Sequence, residues 1–354
     1  MQKKLEPGNL LDEYGNLAQA GYALSLVKKY DRDKIQANPF RIKEWDYYLI
    51  HNSHFGVALT VDDNSYMGLM SISFLDFDAR TERTVSPMTV FPMGKTNLPP
   101  DSGYGETKYH DKKCYFSFRV EKGRRVLRAW MKNFEDHEPI RMKIILDKEP
   151  EDSMVIATPF EKEKAFYYNQ KIIGMRARGV VEYKGRRHYL NPEDSFGLLD
   201  WGRGVWTYSN TWYWSAMHGW IDGKVFGFNL GYGFGDTSAA SENMLFYDGH
   251  AHKLEQVRFH IPGEKEGREQ YLKPWYFTSS DDRLDLTFTP VLDRRAYTSA
   301  GIILSDQHQV FGHFDGTAVL DDGTELKIHH MLGFAEKVRN KWCRGSSVGT
   351  VTLK

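Results

Sequence analysis

The chain has 354 residues, and its 47 Lys and Arg balance 47 Asp and Glu. This even charge argues against a nucleic-acid-binding protein, which presents a basic surface to the phosphates. Hydrophobic residues make up 41% and charged residues 27% of the chain, so a disordered or low-complexity protein is excluded.

Short apolar runs with a period of two predict β-strands along most of the chain. Phe, Tyr and Trp make up 14% of the residues, and aromatic side chains favour strands. In chain order, strands are predicted at 44–50, 55–61, 67–77, 113–120, 126–131, 141–146, 154–158, 179–183, 224–230, 253–260, 284–288, 309–314, 325–331 and 338–342.

Four Asp-Gly pairs between these strands predict tight hairpins, because such pairs accept positive backbone φ angles. They are Asp222-Gly223, Asp248-Gly249, Asp315-Gly316 and Asp322-Gly323. Helical signals are scarce. Asn191-Pro192 followed by two acidic residues predicts a short helix or a turn, and residues 160–165 predict a polar connector.

Many short strands separated by such turns indicate a β-sandwich or β-barrel. The sequence therefore predicts an all-β fold with few short helices. We expect two packed antiparallel units that divide near residue 165. Residues 1–165 would form an N-terminal barrel or sandwich, and residues 166–354 a C-terminal barrel.

The most informative segment is 199–220, where five of the nine tryptophans accompany Asp200, Arg203 and His218. Charged residues are rarely buried unless they are paired. One hypothesis is a ligand pocket with aromatic walls and a few converging polar groups. The other is a buried Asp200–Arg203 ion pair that fixes a tight turn beneath an aromatic core layer. The pocket hypothesis assigns ligand contacts to Trp201, Trp206, Tyr208, Trp212 and Trp214.

A second polar group follows in the glycine-rich segment 227–236 and at 241–243. No helix is predicted after these glycines, so they do not indicate a nucleotide-binding loop. Because glycine has no side chain, these positions allow another backbone segment or a ligand to approach the strand closely. Asp236 and Glu242 join Asp200 as candidate acids or bases, and Asn229 and Asn243 are candidate ligand contacts. For each of these residues alone, a cap or a turn is the alternative.

The histidines do not predict a metal site or another cofactor. His250 and His252 would share one face of a strand, and His329-His330 lies near a strand end, without a third ligand or helical spacing. His218 closes the Trp-rich segment, so it is a candidate acid or base, or a hydrogen-bonding orienter.

Two cysteines, Cys114 and Cys343, are too few for a disulfide scaffold, and neither has the surroundings of a reactive thiol. No apolar run approaches the roughly 20 residues of a membrane-spanning helix. The N-terminus has no apolar core of signal-peptide length. We therefore expect a cytoplasmic protein without membrane insertion.

At these residues the chain resembles DUF2804, an uncharacterised bacterial family, over nearly its whole length. The matching motifs are Glu6-Pro7-Gly8, Gly15, Gly21, Arg41-Ile42-Lys43-Glu44-Trp45-Asp46-Tyr47-Tyr48, Asp200-Trp201-Gly202-Arg203-Gly204, Trp212-x-Trp214, Phe228-Asn229-Leu230-Gly231, Glu242-Asn243, Lys273-Pro274-Trp275 and Gly333-Phe334-Ala335-Glu336. The combination is specific to the family, and it implies no particular reaction.

More distantly, the layout is similar to the tandem lipocalin-like barrels of the hydroxyneurosporene synthase and AttH group. This resemblance implies two packed calycin-type barrels with a pocket between or within them. Carotenoid hydratases of that group add water to an isoprenoid double bond through a carboxylic acid. Asp200 is the nearest candidate for that acid, and Glu336 is expected to serve the structure.

Three functions fit these residues. The first is a metal-independent acid/base enzyme, a hydratase, isomerase or cyclase, that acts on a largely apolar small molecule. Asp200 would donate the proton, Arg203 would be its charge partner, and the tryptophans would stabilise a cation. The second is a glycoside-processing enzyme, in which Asp236 and Glu242 act on a carbohydrate stacked against tryptophan. The third is a protein that binds a lipid or another small molecule without catalysis. The sequence leaves the oligomeric state open.

Overall fold

The computed structural model describes residues 2–300 and 303–341, and within them the chain forms 25 strands and two short 3-10 helices, Arg32–Lys34 and Pro39–Arg41. Asp31 and Asn38 cap these helices by accepting a backbone hydrogen bond. Neither helix in these described ranges has the length or the apolar character to cross a membrane. In chain order the strands are β1 (Gly8–Asn9), β2 (Gly21–Ala23), β3 (Lys28–Lys29), β4 (Ile42–His51), β5 (Phe55–Asp63), β6 (Met67–Asp76), β7 (Thr81–Val85), β8 (Met88–Val90), β9 (Glu106–His110), β10 (Cys114–Glu121), β11 (Arg124–Glu135), β12 (Glu138–Asp147), β13 (Met154–Pro159), β14 (Phe166–Tyr183), β15 (Arg186–Leu190), β16 (Phe196–Val205), β17 (Ser209–Ile221), β18 (Lys224–Tyr232), β19 (Met244–Tyr247), β20 (His250–Lys253), β21 (Val257–His260), β22 (Trp275–Ser279), β23 (Leu284–Ala300), β24 (Ile303–Val319) and β25 (Glu325–Lys341).

Two large antiparallel sheets make up the fold. The first follows the order β7-β6-β5-β4-β16-β14-β12-β11-β10-β9, with β2, β8, β13 and β15 pairing at its margins. The second follows the order β20-β19-β18-β17-β25-β24-β23-β22-β21. Strands β1 and β3 form a separate two-stranded parallel sheet. The prediction of an all-β fold with two packed antiparallel units and few short helices is therefore confirmed.

The chain passes from the first sheet to the second at residues 206–208. Strand β16 ends at Val205 in the first sheet, and β17 begins at Ser209 in the second. The expected division near residue 165 falls between β13 and β14, which pair with each other. The division of the chain into two separately folding domains stays a prediction.

Most of the predicted strands coincide with observed strands, but one predicted strand is interrupted and several observed strands were not predicted. The run 253–260 is interrupted, because β20 ends at Lys253 and β21 begins at Val257. The longest segments without a predicted strand are β16, β17 and the first two thirds of β14, and shorter strands such as β7, β9, β19 and β22 were not predicted either. The predicted strands 325–331 and 338–342 fall within one strand, β25, as far as Lys341. Trp342, at the end of the predicted strand 338–342, and Cys343 lie outside the described residues.

Three of the four Asp-Gly pairs form the expected turns. Asp222 and Gly223 both have positive φ angles between β17 and β18, and Asp248-Gly249 does the same between β19 and β20. Gly323 has a φ of 85° in the turn before β25. The hairpin predicted at Asp315-Gly316 is wrong. This pair lies inside β24, where the register with β25 shifts and Gly316 passes close to the backbone of the neighbouring strand β23.

The side chains between the two sheets form three successive layers. Residues two apart along a strand point to the same face, so the layers repeat with the strand period. The polar layer consists of Tyr47, Lys171, Asp200, Trp214, Gln309 and Glu336. The apolar layer consists of Leu49, Leu198, Ala216, Phe311 and Phe334. The histidine layer consists of His51, Phe196, His218, His313 and Leu332.

Each sheet also curls around an apolar core of its own. The core of the first sheet includes Phe116, Tyr168 and Trp201, and that of the second includes Trp275 and Phe277. The residues between the sheets form a third cluster, separate from these two. Polar side chains that lie beside this third cluster are therefore enclosed between the two sheets.

Gly202 of β16 occupies a position beside β4 that has no room for a side chain. It pairs with Trp45, and a β-carbon at position 202 would lie 1.9 Å from the Trp45 ring. We expect Gly202→Ala to lower the free energy of unfolding by about 3 kcal/mol, because the ring is held by its neighbours and the core is overpacked. Urea denaturation measures this loss.

The control for this substitution is Gly219→Ala in β17. The nearest atom to a β-carbon there is the Met331 sulfur at 3.3 Å, and a methionine side chain can adjust. We expect a change below about 1 kcal/mol. Equal losses in the two variants would contradict the steric argument.

Candidate functional site

The first sheet contributes a row of three polar side chains to the polar layer. Lys171 of β14 pairs with Asp200 of β16, which in turn pairs with Tyr47 of β4. Because β16 lies between β14 and β4, its single carboxylate sits between a lysine and a tyrosine. All three side chains are buried.

Lys171 is the charged centre of this row. Its Nζ lies 3.1 Å from Asp200 Oδ1 and 4.0 Å from Glu242 Oε2. The same ammonium group lies 4.1 Å from the centre of the Trp214 ring. Asn169 Nδ2 donates a second hydrogen bond to Asp200, at 2.6 Å. A buried ammonium group is costly unless it is paired, and here two carboxylates and an aromatic face provide the compensation.

The second sheet contributes the facing row. Trp214 of β17 pairs with Glu336 of β25, and Glu336 pairs with Gln309 of β24. The indole of Trp212 donates to Glu336 Oε1 at 2.9 Å, and Gln309 Nε2 donates to Oε2 at 3.1 Å. Tyr47 joins the two rows through a hydrogen bond of 3.4 Å from its hydroxyl to Gln309.

Glu336 has the environment of a carboxyl group that holds its proton near neutral pH. Burial raises the pKa of Glu336 to about 7. The Trp212 hydrogen bond and the positive charges of Arg294 and Lys171 act in the opposite direction without cancelling the effect. Its two hydrogen-bond donors are neutral, whereas Asp200 is paired directly with an ammonium group.

Glu242 reaches the polar layer from the loop between β18 and β19. Asn229 Nδ2 donates to Glu242 Oε2 at 3.1 Å, and the Trp214 indole donates to Asn229 Oδ1 at 2.8 Å. Burial raises the pKa of Glu242, while Lys171 and the Asn229 hydrogen bond limit the rise. Gly231 leaves the space for this carboxylate, since a β-carbon there would lie 2.5 Å from Glu242 Oε1.

Five aromatic rings pack against one another beside Glu336, and we call this group the aromatic cage. Centroids of neighbouring rings lie 4.8 to 6.0 Å apart, and two of the rings, Trp206 and Phe234, also meet across the group at 4.8 Å, so the rings fill the space that they surround. The members are Trp45, Tyr167, Trp206, Trp212 and Phe234. Trp212 connects the cage to the polar layer through its hydrogen bond to the Glu336 carboxyl.

The predicted ion pair between Asp200 and Arg203 is wrong. Arg203 is three residues from Asp200 along a strand, so its side chain points to the opposite face of the sheet. There it bonds to Asp46 at 3.1 Å and to three backbone carbonyls, beneath the Trp201 ring. Trp201 belongs to the core of the first sheet, so it too lies away from the polar layer.

Other residues proposed from the sequence occupy different surroundings. Asp236 lies on an exposed loop, where its carboxylate accepts the Ser238 backbone N–H and that bond lowers its pKa. Asn243 accepts from Gly231 and donates to the Glu255 carbonyl, which fixes the loop. Tyr208 is partly buried in the connection between the sheets. His218 lies in the histidine layer, with the apolar layer between it and Glu336.

The polar layer therefore brings together Asp200, Glu242, Asn229 and Trp214 from the sequence-based set, with Trp206 and Trp212 in the adjacent cage. Sequence reasoning missed Lys171, Tyr47 and Gln309, and it assigned Glu336 only to the structure. A usable signal was present in Asn169-Gln170-Lys171, three polar residues that interrupt an otherwise apolar and aromatic run.

No group of three His, Cys, Asp or Glu side chains within residues 2–300 and 303–341 is arranged to hold a metal ion. The polar layer offers carboxyl groups in two kinds of surroundings, together with neutral hydrogen-bond donors. Proton transfer is the chemistry that suits a buried carboxyl with a pKa close to the working pH.

The fold and the site define an all-β protein of two packed antiparallel sheets, with charged and aromatic side chains enclosed between them. The sequence profile of DUF2804, a domain of unknown function, matches residues 2–342. The chain belongs to this family, as the motifs in its sequence suggested.

Two crystal structures share the fold. A Nitrosomonas europaea protein assigned as AttH aligns with a TM-score of 0.52 and 14% identity, over 89% of this chain and 98% of that one. Kievitone hydratase from Nectria haematococca aligns with a TM-score of 0.50 and 11% identity, over 88% of this chain and 92% of that one. At these identities the likeness shows the fold alone. A search of curated protein sequences found no match.

Glu336→Gln should change how the stability of the protein depends on pH. The folded carboxyl keeps its proton up to about pH 7, whereas an unfolded glutamate loses it near its usual pKa. Wild-type stability therefore falls between these values as the pH rises. Relative to the Gln variant, the wild type should lose roughly 2 kcal/mol of unfolding free energy between about pH 5 and about pH 8. Urea denaturation at several pH values measures this difference.

The comparison of the two proteins removes contributions that they share, including those of the buried histidines. Glu325→Gln is the matched control, since it replaces an exposed glutamate of the same strand. We expect its pH profile to run parallel to that of the wild type. A parallel profile for Glu336→Gln as well would show that Glu336 titrates alike in the folded and unfolded chain.

Proposed function

We propose that this protein is a hydratase-like enzyme, which adds water to a carbon–carbon double bond of a largely apolar small molecule or removes it. The observation that carries the proposal is the buried Glu336 carboxyl, with a pKa of about 7, beside the five packed rings of the aromatic cage. The similarity in fold to kievitone hydratase supports the choice of reaction class, as an analogy between folds.

Glu336 is better suited than Asp200 to donate the proton. Protonating a double bond requires a neutral acid at the moment of reaction. Asp200 lies 3.1 Å from the Lys171 ammonium and accepts a hydrogen bond from Asn169, so its carboxylate is already engaged by a cation and an amide. Glu336 receives hydrogen bonds from two neutral donors, and burial disfavours its charge.

Each proton in the reaction has a donor and an acceptor in the polar layer. Glu336 gives its proton to one carbon of the double bond, and the neighbouring carbon becomes cationic. The faces of the cage rings stabilise this cation. A water molecule adds to it and gives a proton to the Asp200 carboxylate. That proton returns to Glu336 through the polar layer, so the net change is one water molecule added to the substrate.

The cage also suggests how a substrate is recognised. Its rings favour an unsaturated apolar group, because they present little that could satisfy a charged ligand. Phe234 closes the cage from the loop between β18 and β19, where Gly233 and Gly235 both have positive φ angles. We propose that displacement of Phe234 admits the substrate, since the other four rings are carried by strands or by the β16–β17 connection.

The glycosidase alternative receives less support from the geometry. Asp236 lies on an exposed loop, whereas Glu242 points toward Lys171 in the polar layer. Asp200 and Glu242 do face each other, but the Lys171 ammonium lies between them, where a glycosidase would hold the bond to be cleaved. The third alternative, binding without catalysis, is distinguished from the first by experiment.

The test is an incubation of the protein with a bacterial metabolite extract in oxygen-18-labelled water, followed by untargeted mass spectrometry. We expect wild-type protein to form a product that has gained one labelled water. Glu336→Gln should form it at least about 100-fold more slowly, because the amide cannot donate the proton. The wild-type rate should fall as the pH rises through about 7, as the carboxyl loses its proton.

Asp236→Asn is the matched control, since it replaces a carboxylate by an amide on an exposed loop outside the polar layer. It should form the labelled product at the wild-type rate. If Glu336→Gln forms as much product as the wild type, Glu336 is not the proton donor. A compound retained by both proteins, with no new product, would instead favour the binding function.

A further inference from the structure

A cavity lies between the sheets, at the level of the histidine layer. It is open to solvent and has a volume of about 640 Å³, which is within the range of small-molecule sites. Its lining includes the aromatic side chains of Phe77, Phe196 and Trp220 and the imidazoles of His51, His218 and His313. The cavity, which we call the histidine cleft, opens beside the turns that join β4 to β5 and β15 to β16.

Two of these imidazoles are stacked and buried. The ring centroids of His51 and His218 lie 4.7 Å apart, with an angle of 16° between the planes. Each residue is only 4% exposed. Phe196 packs against His218 at 5.2 Å, and Phe77 meets His51 edge-on at 6.3 Å. The stacked pair is therefore held between apolar rings at the inner end of the cavity.

The nitrogens of His218 lack protein partners. Among residues 2–300 and 303–341, neither Nδ1 nor Nε2 of this ring has a hydrogen-bond partner. Buried polar groups in proteins are nearly always hydrogen-bonded, and both nitrogens are shielded from solvent, so a ligand in the cleft would reach one of them by displacing the side chains that cover it. In a neutral imidazole one nitrogen donates and the other accepts.

The stacked pair is uncharged at neutral pH. Burial lowers the pKa of His218 well below its usual value, and the neighbouring His51 acts in the same direction. Burial also lowers the pKa of His51, to about 4. Charged groups occur at the rim, where Asp78, Arg80, Glu193 and Asp194 line the opening and His330 stacks on His313. An ionic ligand would therefore find its counter-charges at the rim and not at the inner wall.

We propose that the histidine cleft is a binding site for an uncharged aromatic alcohol or phenol. The aromatic ring would pack against the edges of the stacked imidazoles and the rings of Phe77 and Phe196. The hydroxyl group would bond to one nitrogen of His218, and since a hydroxyl both donates and accepts, it suits either tautomer of the imidazole. One ligand chemistry then accounts for the aromatic lining and supplies a partner for one of the two nitrogens.

This site is separate from the proposed catalytic one. The apolar layer, with Leu49, Leu198 and Phe334 among its members, lies between the cleft and the polar layer. The polar layer and the histidine layer are four residues apart along β4, β16 and β17, which corresponds to about 13 Å of strand. Binding in the cleft therefore does not depend on the proposed reaction at Glu336.

The direct test uses the wild-type protein and 4-bromophenol. Crystals soaked in this probe would show the bromine by its anomalous signal. We expect it in the histidine cleft, with the phenol oxygen within hydrogen-bonding distance of His218. A signal confined to the polar layer or to the aromatic cage, or no ordered signal at all, would overturn the proposal.

Calorimetry in solution gives the second readout. His218→Phe keeps a flat ring and removes both nitrogens, so 4-bromophenol should bind about tenfold more weakly to it. His329→Phe makes the same change at an exposed histidine outside the cleft lining, and it should bind as the wild type does. The anion 4-bromobenzoate should bind the wild type at least about tenfold more weakly than the phenol.

Glu336→Gln separates this proposal from the proposed function. It should bind 4-bromophenol as the wild type does, whatever it does to catalysis. Loss of binding in Glu336→Gln but not in His218→Phe would place the probe at the polar layer and overturn the proposal. Equal binding of the phenol and the benzoate would overturn the assignment of an uncharged ligand.

Discussion

The buried ammonium group of Lys171 is the interaction on which the space between the sheets depends. Asp200 approaches it from the same sheet, and Glu242 approaches it from a loop of the other sheet. Removing one member of a buried ion group costs several kcal/mol, since the remaining charges lose their compensation. A single cation thus links the two sheets, and separating them would take Glu242 away from Lys171 while the Lys171–Asp200 pair stays within the first sheet.

This arrangement gives two kinds of carboxyl group in one layer. Asp200 and Glu242 share the lysine, while Glu336 is surrounded by an indole, an amide and buried apolar surface. Burial raises the pKa of both Glu242 and Glu336, and Lys171 limits the rise at each of them. At Glu336 burial outweighs the positive charges of Lys171 and Arg294, so this acid keeps its proton up to about pH 7.

The sequence predicts the fold class and part of this site, for reasons that are physical. Asp200 and Glu242 stand out because carboxylates amid aromatic residues require partners. Their partners are not predictable locally, because the order β4-β16-β14 brings together strands that are far apart in the chain. The wrong pairing of Asp200 with Arg203 arises from strand alternation, which places residues three apart on opposite faces. Lys171 was missed because the first part of β14 does not alternate between apolar and polar residues, as is typical of a strand covered on both sides, so no strand was predicted there.

On each strand, the residues of the three layers between the sheets are two positions apart and point to the same face. This spacing restricts where residues can be inserted into the chain. An insertion of a single residue in β4 between Tyr47 and His51 would turn one of the two side chains to the wrong face of the sheet. An insertion of two residues would add a complete layer and move the two levels about 7 Å further apart. In β14 the bulge between Ile172 and Met175 absorbs an odd residue, with Gly174 at a φ of 85°. A bulge of this kind could therefore change the distance between the polar layer and the histidine layer by less than a whole layer.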